Sequence, residues 1–275
     1  MQTIRDLASL RRASAAARTE GRRLALVPTM GALHQGHLAL VAAARRAAEA
    51  VAVSIFVNPL QFAATEDLSR YPRDEEGDLA KLRDAGCDLV WMPEVSTMYP
   101  PGSATRIEVA GPAEGFEGAA RPDHFRGVAT VCTKLFSQTQ ADVAVFGEKD
   151  WQQLQVVRRV AADLDLPIRI MGHATVREDD GLACSSRNIR LTPDQRALAP
   201  LLPRTMQAAL DTIRAGAAPG PVLDRATRRL VEAGFAPDYL ALVQPDTLLP
   251  WESGEGRLLA AARLGEVRLL DNMAL

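Results

Sequence analysis

Lysine is nearly missing from this chain: of 32 basic residues only Lys81, Lys134 and Lys149 are lysine. A sequence that writes almost every cation as arginine keeps lysine where a compact point charge suits a phosphate oxygen better than a planar guanidinium. Lys81, on a polar helix, reads as a chance survivor, whereas the neighbours of Lys149 point to chemistry. Cysteine is scarce as well. Cys87, Cys132 and Cys184 are too few and too scattered for a disulfide framework or a thiolate metal site, and they imply a reducing compartment. No apolar run is long enough to cross a bilayer, and the first twenty residues carry Arg5, Arg11, Arg12 and Arg18 around no apolar segment, which excludes a signal peptide there. The expectation is a soluble, cytoplasmic protein with no membrane partner. A strong charge of either sign is also absent. A net charge of -2 supplies no electrostatic footprint for RNA or DNA and argues against a nucleic-acid partner.

What is present is an ordinary globular composition. With 275 residues, 47% of them apolar and 24% charged, the chain can bury a full core in one or two domains. Ile4 to Ala17 has the pattern of a helix, Leu24 to Val27 of a buried strand, and Leu38 to Ala50 of an Ala-rich helix. Val51 to Val57 is a β-branched run without alternation, as a strand covered on both faces requires. A helix over Asp74 to Ala85 and a strand over Asp88 to Met92 follow. Strand–helix–strand alternation of this kind specifies a doubly wound parallel sheet, an α/β fold. Between Tyr99 and Phe125 prolines and glycines break any long element, and the segment reads as a functional loop or lid. A helix over Val128 to Gln138, a strand over Ala141 to Phe146, a helix over Asp150 to Leu164 and a strand over Ile168 to Val176 extend the sheet. Beyond a boundary placed at residue 176 the pattern changes to a smaller α+β unit. Its first helix starts at Thr192 with Pro193 in the first turn and kinks at Pro203; a second runs from Val222 to Ala233; strand patterns occupy Tyr239 to Val243 and Leu258 to Leu270.

Four stretches carry chemistry. Met30-Gly31-Ala32-Leu33-His34-Gln35-Gly36-His37 lies at a strand-to-helix turn, where open backbone N–H groups and the helix dipole make an anion site. Gly31 and Gly36 let the backbone approach a phosphate, and the two histidines aim at the same phosphate chain. A zinc reading needs a third ligand, and neither His124 nor His173 offers a recognisable spacing. Gly147-Glu148-Lys149-Asp150 also ends an apolar strand. There Lys149 neutralises phosphate charge, and Asp150 either caps the next helix or accepts from a ribose hydroxyl. The polar loop from Val176 through Cys184, Ser185, Ser186 and Arg187 offers hydroxyls and a guanidinium to a triphosphate. Within it, Glu178 to Asp180 is either a Mg2+-holding run or plain surface. Gln61 and Gln153 are neutral groups suited to gripping a small acid. No nucleophile elbow or cysteine–histidine pair supports covalent catalysis.

Taken together, PTMGALHQGH, VSIFVNPLQF, Tyr71-Pro72-Arg73, FRGVATV, VFGEKDWQQL and TVREDDGLACSSRN resemble, in order and spacing, the pantoate:β-alanine ligases, also called pantothenate synthetases. Leu60, Trp151 and Cys184 depart from that pattern; Cys184 stands where methionine is usual. The resemblance implies a Rossmann-like fold of the nucleotidyltransferase type. Residues 1–176 would bind nucleotide and pantoate, and residues 177–275 would close over the ATP site. It implies an ATP- and Mg2+-dependent ligase that forms pantoyl adenylate and then pantothenate, a precursor of coenzyme A, and that works as a homodimer. It places ATP against Met30 to His37, Gly147 to Asp150, Val176 and Cys184 to Arg187. His37 becomes the proton donor, with His34, Lys149 and Arg187 beside it in the chemistry; Gln61 contacts pantoate and β-alanine, and Gln153 contacts pantoate. The competing readings are another adenylyl- or cytidylyl-transferase sharing the histidine turn, and an RNA-binding relic of an aminoacyl-tRNA synthetase core.

Overall fold

The structure is a computed structural model that describes residues 1–62 and 71–275. The chain divides into two compact units, Met1–Gly147 with Gln152–His173, and Glu148–Trp151 with Ala174–Leu275.

In the first unit, among the described residues, six strands form one parallel sheet in the order β1-β4-β3-β2-β5-β6. They are β1 (Gln2–Ile4), β2 (Leu24–Thr29), β3 (Ala50–Ile55), β4 (Leu89–Trp91), β5 (Val143–Gly147) and β6 (Arg169–His173). The α-helices are α1 (Leu7–Ala17), α2 (Gln35–Ala47), α3 (Glu75–Asp84), α4 (Val95–Met98), α5 (Phe116–Ala120), α6 (His124–Thr139) and α7 (Trp151–Asp163). Ala25 and Val27 of β2 pack with Val41 and Ala44 of α2 on one face. Leu24 and Leu26, which point the other way, are equally buried, so both faces are covered. The sheet is the expected Rossmann-like one.

It differs from the sequence expectation at its start. Gln2–Ile4 is a strand paired with Leu89–Trp91, and the helix begins at Leu7 behind Asp6, whose carboxylate accepts the Ser9 N–H at 2.8 Å. Three residues carry no readable period, and only the partner strand makes them a strand.

Strand order reverses between β2 and β5, where connections leave in opposite directions. A crevice opens at such a point beyond the carboxyl ends of the strands, and the sequence widens it. Phe56 N–H donates to Thr29 O, so alternation turns Pro28 toward β5, where it has no N–H to offer. Pairing of β2 with β5 ends at Leu26 with Ala144.

The second unit holds α8 (Pro193–Leu198), α9 (Leu201–Arg214), α10 (Pro219–Glu232) and an antiparallel sheet of β7 (Phe235–Val243), β8 (Arg257–Leu264) and β9 (Val267–Ala274). Leu202, Met206, Leu210 and Ile213 of α9 lie at helical spacing over Leu258, Ala260 and Ala262 of β8. Thr192 caps α8, as the sequence predicts, and the structure adds Gln195 as the other half of a reciprocal box. The interruption falls at Ala199–Pro200 rather than at Pro203. Pro203 sits in the first turn of α9, where an N–H would have no helical acceptor. The tail expected as one strand is a hairpin turning at Gly265, whose φ is 59°.

Candidate active site

The turn after β2 is shaped from below. Gly31 (φ 81°) and Ala32 (φ 52°) are successive left-handed residues, a conformation that costs an alanine about 1 kcal/mol. What holds them there is Asp78 of α3, 1% exposed, which accepts the N–H of Ala32 at 2.8 Å and of Leu33 at 2.7 Å. A Cβ on Gly31 would lie 3.0 Å from the same carboxylate. Lys81, one helical turn on, donates to Leu33 O at 2.9 Å and stands 3.8 Å from Asp78. Two sequence expectations change here. Lys81 is not a chance survivor, and the N–H groups of Ala32 and Leu33, expected to face a phosphate, are taken by the protein's own carboxylate.

The histidines replace them as donors. His34 caps α2, with Gln35, Gly36 and His37 in its first turn; Gly36 N–H donates to His34 Nδ1 at 3.1 Å, and His34 N–H donates to His37 Nδ1 at 3.3 Å. Each ring therefore accepts at Nδ1, which in the neutral imidazole puts its proton on Nε2. The rings lie with centroids 4.1 Å apart at the start of α2, beyond the end of β2. Met30 ends the approach from β2.

Gln61 follows β3, and Gln153 lies in the first turn of α7 after β5 and Gly147, so the topology brings both glutamines to the strand edge that carries the histidines. Gln61 is held hard. Its Oε1 accepts from Asn58 Nδ2 at 3.0 Å, Tyr99 donates its hydroxyl to Asn58 Oδ1 at 2.9 Å, and the Gln61 carbonyl is 3.0 Å from His124 Nδ1. Gly127 permits this approach, since a Cβ there would sit 2.2 Å from Leu60 O. Beside Gln153, the buried Gln152 donates to Pro112 O and Glu114 O and accepts Glu117 N–H at 2.9 Å. The irregular segment expected as a loop or lid is thus anchored to α7.

The remaining candidates belong to the second unit. Lys149 is largely buried and lies 3.4 Å from the half-exposed Asp150. Cys184 N–H donates to Val176 O at 2.9 Å, joining the two ends of the 177–183 loop. Ser185 Oγ accepts Arg187 N–H at 3.2 Å, and Ser186 lies between them. Arg177 grips Asp271 at 2.7 and 2.8 Å, and Arg196 grips Asp180 at 2.6 Å and Glu178 at 2.5 Å. The Arg196 guanidinium holds the Asp180 carboxyl below its ordinary range. Of the two readings of Glu178 to Asp180, these pairings favour the structural one.

The thiols are graded by burial. Desolvation pushes Cys87 and Cys132 up to about 12, while Cys184 is raised but partly exposed. Iodoacetamide at pH 8 should alkylate Cys184 first by peptide mapping, with Cys87 and Cys132 protected until unfolding.

A family model described as pantoate-beta-alanine ligase matches residues 2–274. A pantothenate synthetase of Acidiphilium cryptum (strain JF-5) is 57% identical over the full length of both chains. One of Rhizorhabdus wittichii is 55% identical over all of this chain and 98% of its own. Among solved structures, pantothenate synthetase from Thermus thermophilus superposes with a TM-score of 0.92 at 49% identity, covering 99% of each chain. The pantoate-beta-alanine ligase of Francisella tularensis, solved with beta-gamma ATP and beta-alanine, reaches 0.83 at 29% identity, over 99% of this chain and 97% of that one. Family model and relatives alike cover the chain over essentially its whole length, and the chain belongs to the pantoate-beta-alanine ligase family.

Proposed function

We propose that this chain condenses pantoate with β-alanine using ATP. A pantoate carboxylate oxygen attacks the α-phosphorus, the bond to pyrophosphate breaks, and the β-alanine amine then attacks the pantoyl carbonyl and displaces AMP. The observation that carries this reading is the histidine pair, two Nε2–H donors fixed by backbone N–H groups at the switch point. A carboxylate approaches a polyanion poorly, so the site must supply positive charge or donors and hold the reactants in line. His34 and His37 donate to the phosphates, with His37 as proton donor; Lys149 and Arg187 neutralise charge, and Ser185 and Ser186 add hydroxyl donors. The backbone of Met30 to Gly36, Gly147, Glu148, Asp150, Val176 and Cys184 lines the nucleotide. Gln61 holds pantoate and β-alanine, and Gln153 holds pantoate. The phosphate-facing side chains are divided between the two units, and we take both sets to serve one ATP, the C-terminal unit closing to keep water from the mixed anhydride.

Among the described residues no group of three His, Cys, Asp or Glu could hold a metal ion. Mg2+ accordingly suits this chain as an ion carried by the ATP phosphates, with Asp150 able to add one carboxylate and the ion neutralising phosphate charge. A cytoplasmic homodimer completes the proposal; no helix among the described residues is long and apolar enough to cross a membrane.

The test is incubation with ATP, Mg2+, pantoate and β-alanine, omitting one at a time. AMP should accumulate only in the complete mixture. Equal AMP without pantoate, or none in the complete mixture, would overturn the reading.

A further inference from the structure

Two consecutive polar residues, Asp271 and Asn272, interrupt the apolar run of β9 and are both about 4% exposed. Alternation along a strand sends their side chains to opposite faces, and each meets a different segment of the second unit. Asn272 Nδ2 donates to Glu148 O at 2.8 Å and to Lys149 O at 2.9 Å. Asp271 takes the two-pronged ion pair from Arg177, whose Nη1 also donates to Gly181 O at 3.0 Å. The strand thus grips the Lys149 turn with one residue and the loop leading to Ser185–Arg187 with the next. From β8, Arg257 reinforces the first grip: it pairs with Glu148 at 2.8 Å and lies 3.4 Å from the centre of the Trp151 ring.

We propose that Asp271 and Asn272 are positioning residues for ATP: one strand end fixes, in a common frame, the lysine turn and the serine–arginine loop. This rests on the ligase reading for the identity of the nucleotide. The physical ground is that Lys149 stands in a single 3-10 turn, Glu148–Asp150, whose carbonyls Asn272 takes directly while Arg257 holds the Glu148 side chain. An amide donating to two successive carbonyls sets the orientation of both peptide planes, and hence the direction in which the lysine side chain leaves the backbone. The Asn272 Oδ1 is buried without a hydrogen-bond partner. The residue is therefore placed by its two donors alone, and aspartate, with no donor, would set a carboxylate against two carbonyl oxygens.

The scarcity of lysine makes the test direct. With 13Cε-labelled lysine the chain gives signals from only Lys81, Lys134 and Lys149. In Asn272→Ala, the Lys149 signal should move and its response to added ATP should shrink, while those of Lys81 and Lys134 stay in place. KM for ATP should rise about tenfold, the effect of a misplaced lysine on phosphate binding, with KM for pantoate unchanged. Asn272→Ser, which keeps one donor, should recover part of the effect and serves where the alanine variant does not fold. Asp271→Asn should raise KM for ATP and leave the Lys149 signal in place. An unmoved Lys149 signal in both Asn272 variants, with KM for ATP at the wild-type value, would sink the proposal. ATP titration of the lysine signals needs no turnover, so a chain whose Lys149 signal answered ATP only with Asn272 intact, but which made no AMP, would defeat the ligase reading and leave this one standing.

Discussion

His37→Ala should abolish pantoate-dependent release of pyrophosphate while leaving the far-UV circular dichroism unchanged. To the fold His37 contributes a helix-capping hydrogen bond, from His34 N–H to Nδ1, worth about 1 kcal/mol. The chemical contribution is larger. A preorganised donor aimed at charge that develops in the transition state is worth roughly 10²–10³ in rate, and His37 is proposed to supply both that donor and a proton. The hydrogen bond at Nδ1 makes the argument specific: it fixes which nitrogen points away from the backbone. His37→Gln, whose amide can reach the place of Nε2 and still donate, should therefore retain more activity than His37→Ala. The measurement is pyrophosphate release with pantoate and no β-alanine, which isolates the first half of the reaction. If His37→Ala turned over at the wild-type rate, the central assignment would be wrong. Nitrogen NMR of the same ring should find the proton of the neutral imidazole on Nε2; a neutral ring with its proton on Nδ1 would contradict the geometry.

How much of this could be read beforehand varies with the kind of signal. The β2 turn was legible because three local features coincide: a continuous apolar strand, glycines at the turn, and two of the four histidines within four residues. The same holds for the turn after β5 and for the Ser185–Arg187 loop, which carry their polar groups in one short segment. Asp78 could not be found that way. It lies in Glu75-Glu76-Gly77-Asp78, on a helix whose first turn holds three carboxylates, and nothing local separates it from its neighbours. Only the fold buries that one residue beneath the histidine turn. Asp271 and Asn272 left a fainter trace: they follow Leu270, where the apolar pattern stops, and only the pairing with β8 carries the strand through them to Ala274. The hairpin of β8 and β9 was missed for a related reason: between Leu258 and Leu270 the turn is marked only by Gly265-Glu266. Local chemistry is written locally; the groups that hold it in place are written wherever the chain returns.

Asp78→Ala should be the most damaging single change outside the groups proposed to touch ATP. It removes the acceptor of the buried Leu33 N–H and the part-buried Ala32 N–H, each costing about 1–3 kcal/mol when left unsatisfied. Release of the left-handed Ala32 returns about 1 kcal/mol of that at most, while Lys81 loses its nearby carboxylate. Part of this relaxes by movement of the turn, so a loss of roughly 2–5 kcal/mol in unfolding free energy is expected, read as a lower urea midpoint at unchanged slope. Relaxation is itself the functional prediction. Leu33 precedes the cap of α2, and a turn that shifts by about 1 Å carries the two Nε2–H donors out of line, which is worth on the order of 10² in rate. Stability and activity separate in the companion variants. Asp78→Asn keeps the shape but faces one N–H with an amide group, so it should lose activity with a smaller loss of stability. Lys81→Met, which keeps Asp78 and gives up one bond to Leu33 O, should cost about 1 kcal/mol and little rate. An Asp78→Ala protein with the wild-type midpoint and wild-type pyrophosphate release would show that the histidine turn holds its shape unaided.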